Sequence, residues 1–114
     1  MKVGIIATGD EITTGDILNT NAQRIAQTLN SDRIEVGIHI TCSDTEDDIV
    51  RSLDFIATDH QVIILIGGLG PTDDDRTRFA LAKHLQCPLQ EYPAAITHIQ
   101  QRLVASNVTY TQNN

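Results

Sequence analysis

The sequence predicts an α/β protein in which a mainly parallel sheet lies between two layers of helices. Three short runs of aliphatic and β-branched residues, at 2–8, 34–41 and 62–66, have the length and composition of strands. Each run is followed by a loop and then by apolar residues that recur every three to four positions, as on one face of a helix. This alternation is typical of parallel sheets with right-handed crossovers.

The first unit is predicted to be a strand, a polar loop and a helix. Residues 2–8 are mostly apolar and stop at Gly9, which favours a buried strand that passes into a loop. A helical pattern begins at Thr20, with Thr20 or Asn21 as its cap. The apolar residues of this helix are Ile25, Ala26 and Leu29.

The second unit has a more polar strand. Residues 34–41 alternate Ile and Val with Glu, Gly and His, which indicates one wetter face and a place near a sheet edge. Residues 44–48 combine a capping oxygen with several carboxylates, as in the first turn of a helix. The apolar stripe that follows extends this helix to about Thr58.

The third unit begins with the most apolar run of the chain. Residues 62–66 are predicted to form a central strand that is covered on both faces. Helices are predicted at 77–85, before Pro88, and at 94–105. The expected order is therefore β-α-β-α-β-α-α.

Size and composition set the class of the protein and of its partners. A chain of 114 residues is expected to form a single domain over residues 1–114. Its net charge of −7 and its four aromatic residues argue against nucleic acid as a partner. A small anionic ligand stays compatible with this charge if backbone N–H groups or a metal neutralise it.

Other sequence features are uninformative about catalysis but bear on location. Cys42 and Cys87 lack the spacing of a zinc site, and the apolar run at 3–7 is too short for a signal peptide or a membrane span. We therefore expect a cytoplasmic protein with reduced thiols and no membrane partner.

The tail at 108–114 completes neither a helix nor a strand, which suggests a domain truncated at its C-terminus. Surface or helix-face positions are expected for the histidines, which are His39, His60, His84 and His98.

Three polar loops, at 9–21, 42–48 and 67–76, are expected to meet at one edge of the sheet. The carboxyl ends of parallel strands lie at the same edge, where ligands bind in such folds. Residues 67–72 read Gly-Gly-Leu-Gly-Pro-Thr, and they lie between a strand and a helix. Glycines allow backbone N–H groups to converge on phosphate oxygens, and Thr72 adds a hydroxyl donor. The alternative is a tight turn that needs glycine for its shape alone.

The acidic run at 73–75 suggests a divalent metal beside this turn. Adjacent carboxylates repel one another, and Mg²⁺ is commonly bound by carboxylates together with substrate phosphates. The alternative is a solvated acidic cluster at the start of a helix, relieved locally by Arg76 and Arg78. Asp10 and Glu11 in the first loop, and Asp44 in the second, would border the same pocket.

Residues 8–11, 19–22 and 67–75 together resemble the N-terminal domain of the CinA family, within the molybdopterin-binding superfamily of MogA and MoaB. The resemblance spans the whole chain. It implies a three-layer α/β/α fold, a homo-oligomer, and a pocket for a phosphate-bearing nucleotide or a pterin such as molybdopterin. The MogA branch carries out Mg²⁺-dependent adenylyl transfer, whereas the CinA domain is linked to ADP-ribose pyrophosphatase activity.

The resemblance also implies roles for particular residues. Asp75 and Asp44 match acidic positions of the superfamily and would hold the metal or orient water, and Thr77 matches a threonine that follows the first of them. The phosphate would be held by Gly67, Gly68, Gly70 and Thr72.

Two departures from the family's pattern decide which functional hypothesis is preferred. Leu69 stands where the MogA branch has threonine, and the nicotinamide-nucleotide deamidase domain of CinA proteins is absent from the sequence. The first hypothesis is accordingly a Mg²⁺-dependent hydrolase of ADP-ribose-like substrates. The alternatives are a non-catalytic pterin- or nucleotide-binding module and a molybdopterin adenylyltransferase.

Overall fold

The computed structural model describes residues 1–109. Its helices and strands follow the predicted order, with one short helix added in the first loop. They are β1 (Lys2–Thr8), α1 (Asp10–Thr13), α2 (Thr20–Ser31), β2 (Glu35–Cys42), α3 (Glu46–Ile56), β3 (Val62–Ile66), α4 (Thr77–Leu85) and α5 (Pro93–Ala105).

The three strands form one parallel sheet in the order β2-β1-β3. The chain moves from β1 to β2 in one direction and from β2 past β1 to β3 in the other. Right-handed crossovers therefore place α2 and α3 on opposite faces of the sheet. This arrangement confirms the predicted α/β class with a parallel sheet between helical layers.

The central strand of the described sheet is β1, so the prediction that β3 is central and covered on both faces is wrong. Residues 3–9 are all buried, whereas β3 is half-buried and pairs only with β1 among the described residues. Because β1 contains small residues, its apolar content is lower than that of β3, and the sequence does not identify it as the central strand. Gly4 is needed because Ile56 of α3 packs directly against its backbone, where a Cβ would clash. Apolar content alone therefore misidentified the central strand.

The hydrophobic core lies between β1 and the α3–α4 layer. Ile6 packs with Ile49, Leu53 and Ile56, which are the predicted apolar stripe of α3, and with Ala80 of α4. Alternating exposure along β2 confirms the prediction of an edge strand with one wetter face.

Capping residues explain where α2 and α3 begin, which the hydrophobic pattern predicted only approximately. Asn19, rather than Thr20 or Asn21, caps α2, since its Oδ1 accepts from the Ala22 N–H at 3.2 Å. The Thr45 hydroxyl accepts from the Asp48 N–H at 3.3 Å and begins α3.

His60 corrects the expectation of surface or helix-face positions for the histidines. Its side chain is buried beside Gly4 and Gly37, at the end of the sheet opposite the polar loops. Its Nδ1 lies 2.6 Å from Asp59 Oδ1. His60 therefore lies outside the predicted site and belongs to the packing of the amino ends of the strands.

The C-terminal helix α5 contributes no fully buried residue, and its predicted apolar stripe is half-buried. Within residues 1–109, no helix has both the length and the apolar character needed to cross a membrane. The prediction made for the tail falls mainly on residues 110–114, which lie outside the described range.

Candidate functional site

The three polar loops meet at the carboxyl edge of the sheet. The first and second loops are joined where the Gly9 N–H donates to the Cys42 carbonyl at 3.1 Å. The third loop touches the first because Gly67 lies directly against the Thr8 carbonyl, at a position where a Cβ would clash. Parallel pairing of all three strands produces this convergence.

Asp10 and Asp44 form a reciprocal tie between the first two loops. The Asp10 N–H donates to Asp44 Oδ2 at 3.2 Å, and the Asp44 N–H donates to Asp10 Oδ1 at 3.0 Å. Two carboxylates are thus held side by side, each by the other residue's backbone. The Glu11 carboxylate folds back toward Gly9 and lies beside the same loop.

The glycine turn has a backbone shape that side chains disfavour. Gly67 and Gly68 have φ values of 94° and 63°, in the left-handed region that favours glycine. A Cβ on Gly67 would meet Thr8, and a Cβ on Gly68 would meet the Thr77 hydroxyl. Thr8 and Thr77 therefore pack directly against the backbone of the turn, and neither glycine has room for a Cβ.

Thr77 fastens this turn to the first residue of α4. Its hydroxyl donates to the Gly67 carbonyl at 2.7 Å, and its N–H donates to the Gly68 carbonyl at 3.2 Å. The residue is 1% exposed. Thr77 therefore fixes the shape of the turn, and its hydroxyl proton is donated to the turn's own backbone.

Asp75 is held by its own loop. Its Oδ2 accepts from the Thr72 hydroxyl at 2.7 Å and from the Thr72 N–H at 3.0 Å. These hydrogen bonds, with a further contribution from the Gly70 amide, hold the pKa of Asp75 below its ordinary value of 3.8. The carboxylate is therefore ionised at neutral pH and stabilises the 70–75 segment.

Of the two arginines that the alternative expected to relieve the acidic run, Arg78 contributes to the lowered pKa of Asp75, whereas Arg76 does not. Arg76 pairs with Glu46 of α3 at 2.9 Å and lies over the Phe79 ring at 4.0 Å, so it ties α3 to α4 instead of relieving the acidic run. Arg78 donates to the Gly70 carbonyl at 3.4 Å. Asp73 and Asp74 are exposed.

The described residues do not build a metal site on their own. Across residues 1–109, no group of three or more His, Cys, Asp or Glu side chains is placed to hold an ion. Asp44 Oδ2 accepts from the Asp10 N–H, and Asp75 Oδ2 accepts from Thr72, so both carboxylates are already partly used by the loops. Such a site fits a magnesium ion only if ligand phosphates complete its coordination.

Sequence reasoning assigned no role to Thr8 or Ser43. The Thr8 side chain is buried at the end of β1, beside the glycine turn. The Ser43 hydroxyl donates to Asp48 Oδ2 at 2.6 Å and is the main reason why the pKa of Asp48 is lowered. A hydroxyl residue that ends a buried strand is the sequence signal that points to Thr8.

Comparison with known families decides the identity of this fold. A family model described as a probable molybdopterin binding domain matches residues 4–112. The chain belongs to this molybdopterin-binding domain family. The arrangement of loops at the carboxyl edge is thus found in a domain whose family description names a pterin ligand.

Relatives within the molybdopterin-binding domain family include CinA proteins. A CinA-like protein of Syntrophobacter fumaroxidans is 43% identical over 99 residues, which cover 87% of this chain and 23% of the relative. A relative in Clostridium botulinum, which bears the name competence-damage inducible protein, is 38% identical over 114 residues and covers 100% of this chain and 28% of its own length. The chain thus spans about a quarter of the length of these curated relatives.

Solved structures of the family agree with the fold. The CinA protein of Thermoplasma acidophilum, described as of unknown function, has a TM-score of 0.88 and 26% identity, over 97% of this chain and 64% of that one. The molybdopterin biosynthesis enzyme MoaB of Thermus thermophilus has a TM-score of 0.68 and 26% identity, over 72% of this chain and 53% of that one.

Proposed function

We propose that this molybdopterin-binding domain holds a phosphate-bearing nucleotide or pterin, with a phosphate group in the glycine turn. The observation that carries the proposal is the glycine turn itself, because Gly67 and Gly68 adopt positive φ between a strand and a helix, packed so closely on Thr8 and Thr77 that neither has room for a Cβ. Glycine turns of this kind allow backbone N–H groups to converge on phosphate oxygens.

The start of α4 supplies donors beside the glycine turn. The N–H groups of Arg78 and Phe79 in its first turn have no acceptor among the described residues. Unpaired first-turn N–H groups and the helix dipole both favour an anion. They provide positive potential in a protein whose overall charge is −7.

The acidic side chains around the turn make a cation part of the proposal. Phosphate oxygens would approach the carboxylates of Asp10, Asp44 and Asp75. Because like charges repel, a cation is needed to neutralise this negative charge. The carboxylates of Asp44 and Asp75 are the groups that would share Mg²⁺ with the ligand. Magnesium, when bound, would neutralise phosphate charge and lower the pKa of a coordinated water.

Hydrolysis of the pyrophosphate bond in ADP-ribose-like substrates is the reaction we propose for this site. Asp44 and Asp75 would orient water, while the glycine turn and the first turn of α4 would stabilise the departing phosphate. A cytoplasmic location completes the proposal, since both cysteines are free thiols.

Calorimetric titration combined with a product assay tests the proposal. The chain is titrated with ADP-ribose, ATP and inorganic pyrophosphate, each with and without Mg²⁺, and AMP release is followed by chromatography. We expect binding of ADP-ribose that strengthens with Mg²⁺ and is accompanied by AMP release. Absence of binding by all three compounds would contradict the phosphate site.

A non-catalytic binding module is the second candidate. It is favoured by the use of Asp75 Oδ2 as a loop acceptor, which leaves this carboxylate with less freedom to act on water. Binding of ADP-ribose without AMP release would support it. Adenylyl transfer to a pterin is the third candidate, and the exposed apolar side chain of Leu69 in the turn counts against it.

A further inference from the structure

Leu69 is a large apolar side chain that the glycine turn exposes at the carboxyl edge of the sheet. It lies between Gly68 and Gly70, and the residue is 61% exposed. A single exposed leucine is ordinary on a protein surface. The position of Leu69 inside the turn sets it apart, because a ligand held by the N–H groups of this turn would lie beside its side chain.

The backbone on both sides of Leu69 is held in place. The Gly68 carbonyl accepts a hydrogen bond from the Thr77 N–H at 3.2 Å. The Asp75 carboxylate packs against Gly70, where an added Cβ would lie 2.7 Å from its Oδ2. The backbone at Leu69 is therefore ordered before a ligand binds, which lowers the entropic cost of a contact with its side chain.

Large apolar side chains are few among the loops that meet at this edge. Those that are exposed, within the described residues, are Ile17, Leu18 and Leu69. Ile17 and Leu18 belong to the first loop, whereas Leu69 lies in the glycine turn itself. Leu69 is thus the closest of the three, along the chain, to the N–H groups that are proposed to hold phosphate.

The proposed ligands have two chemically different ends. A nucleotide or a phosphorylated pterin carries anionic phosphate at one end and a flat ring system with large apolar faces at the other. Backbone N–H groups suit only the phosphate. Contact between a ring face and the Leu69 side chain would remove apolar surface of both from water, which is favourable.

We propose that Leu69 is a specificity-determining residue whose side chain packs against the ring system of the ligand while the turn holds its phosphate. The inference rests on the proposed function and adds to it a preference for phosphates that carry a ring over inorganic pyrophosphate. Leu69 contributes this preference through apolar contact, since its side chain has no hydrogen-bonding group.

Two substitutions at the same position test this role. Leu69→Asn keeps the approximate shape of the side chain and removes its apolar character, whereas Leu69→Met keeps the apolar character. Each variant and the wild type are titrated calorimetrically with ADP-ribose and with inorganic pyrophosphate in the presence of Mg²⁺. We expect Leu69→Asn to bind ADP-ribose about five- to tenfold more weakly and pyrophosphate as the wild type does. Leu69→Met should bind both compounds as the wild type does.

Leu89→Asn is the matched control at a different site. Leu89 is 53% exposed and lines an apolar groove beside α4, away from the glycine turn in the sequence. Its substitution should leave the affinity for ADP-ribose unchanged. All three variants should unfold in urea as the wild type does, because substitutions of exposed residues change stability little.

The outcomes separate this inference from the function on which it rests. If Leu69→Asn binds ADP-ribose as tightly as the wild type, the role of Leu69 is overturned while the phosphate site stands. If Leu69→Asn weakens both compounds equally, Leu69 shapes the turn and does not select the ring, so the inference is again overturned. A loss of ADP-ribose affinity in Leu89→Asn alone would place the ring in the groove instead. If the wild type binds neither compound, the proposed function fails and the inference falls with it.

Discussion

Gly68 is the residue at which shape and chemistry of the candidate site are most closely linked. Its φ of 63° disfavours any side chain, and the Thr77 hydroxyl occupies the place that a Cβ would take. Gly15 offers a matched control, since its φ is 84° but nothing lies within 4 Å of its Cβ position.

Gly68→Ala and Gly15→Ala should therefore differ. Each should lose about 1–2 kcal/mol of unfolding free energy for left-handed backbone strain. Gly68→Ala should lose more, and it should also abolish measurable ADP-ribose binding, since the added methyl displaces Thr77. Urea unfolding and calorimetry provide the two readouts. Equal stability losses, with binding intact in both variants, would show that the turn does not shape a ligand site.

Asp75 makes the stability of the fold depend on pH. Because hydrogen bonds from Thr72 lower its pKa below 3.8 in the folded state, the unfolded chain binds the proton more readily. The contribution of Asp75 is thus present above pH 3.8 and is lost as pH falls through its folded pKa. Asp75→Asn should flatten the fall in unfolding free energy between about pH 5 and pH 2.

Asp73→Asn is the control for this pH profile. Asp73 is exposed and makes no hydrogen bond within residues 1–109, so its substitution should leave the slope unchanged. Chemical denaturation at a series of pH values measures both profiles. The assignment fails if Asp75→Asn retains the wild-type slope.

At the scale of elements, local patterns predicted most helices and strands. The 62–66 strand and the 77–85 helix were predicted at their observed bounds, because apolar runs and periodicity are properties of the segment itself. The position of β1 at the centre was not predictable in the same way. It is defined by the pairing of β1 with both β2 and β3, which are contacts between distant segments.

The reciprocal Asp10–Asp44 tie allows a test of how the first two loops are held together. Asp44→Ala removes the acceptor of the Asp10 N–H, so hydrogen exchange at Asp10 should become faster and ADP-ribose affinity should fall about tenfold. Asp47→Ala removes the same charge from the exposed side of α3 and should change neither. An unchanged exchange rate at Asp10 in Asp44→Ala would show that the tie does not order the loop.

At the scale of the whole molecule, the predicted topology showed that three loops meet, but it did not show which side chains in them form hydrogen bonds. The carboxyl ends of parallel strands share one edge, so residues 9–21, 42–48 and 67–76 could be brought together from the sequence. Two features depend instead on side-chain geometry at that edge: Asp75 accepts hydrogen bonds from Thr72, and the buried Thr8 hydroxyl has no partner within residues 1–109. The hydrophobic periodicity of the sequence does not predict such side-chain geometry.

Self-association is the prediction that concerns the molecule as a whole. Within the described residues, β3 pairs on one side only, and Leu18 and Val104 are largely exposed. Open strand edges and exposed apolar side chains favour contacts between chains. Light scattering should give a mass above the 12.5 kDa of one chain, rising with concentration. A mass of one chain at all concentrations would contradict this prediction.

The glycine turn and its neighbouring loops are proposed to form one phosphate site, and this is the central claim. Titration of the ¹⁵N-labelled chain with ADP-ribose and Mg²⁺, followed by amide NMR, tests it most directly. We expect the largest shifts at residues 8–10, 43–44 and 67–78. Shifts confined to the apolar groove lined by Leu81, Leu85 and Leu89, or no shifts at millimolar ligand, would contradict it.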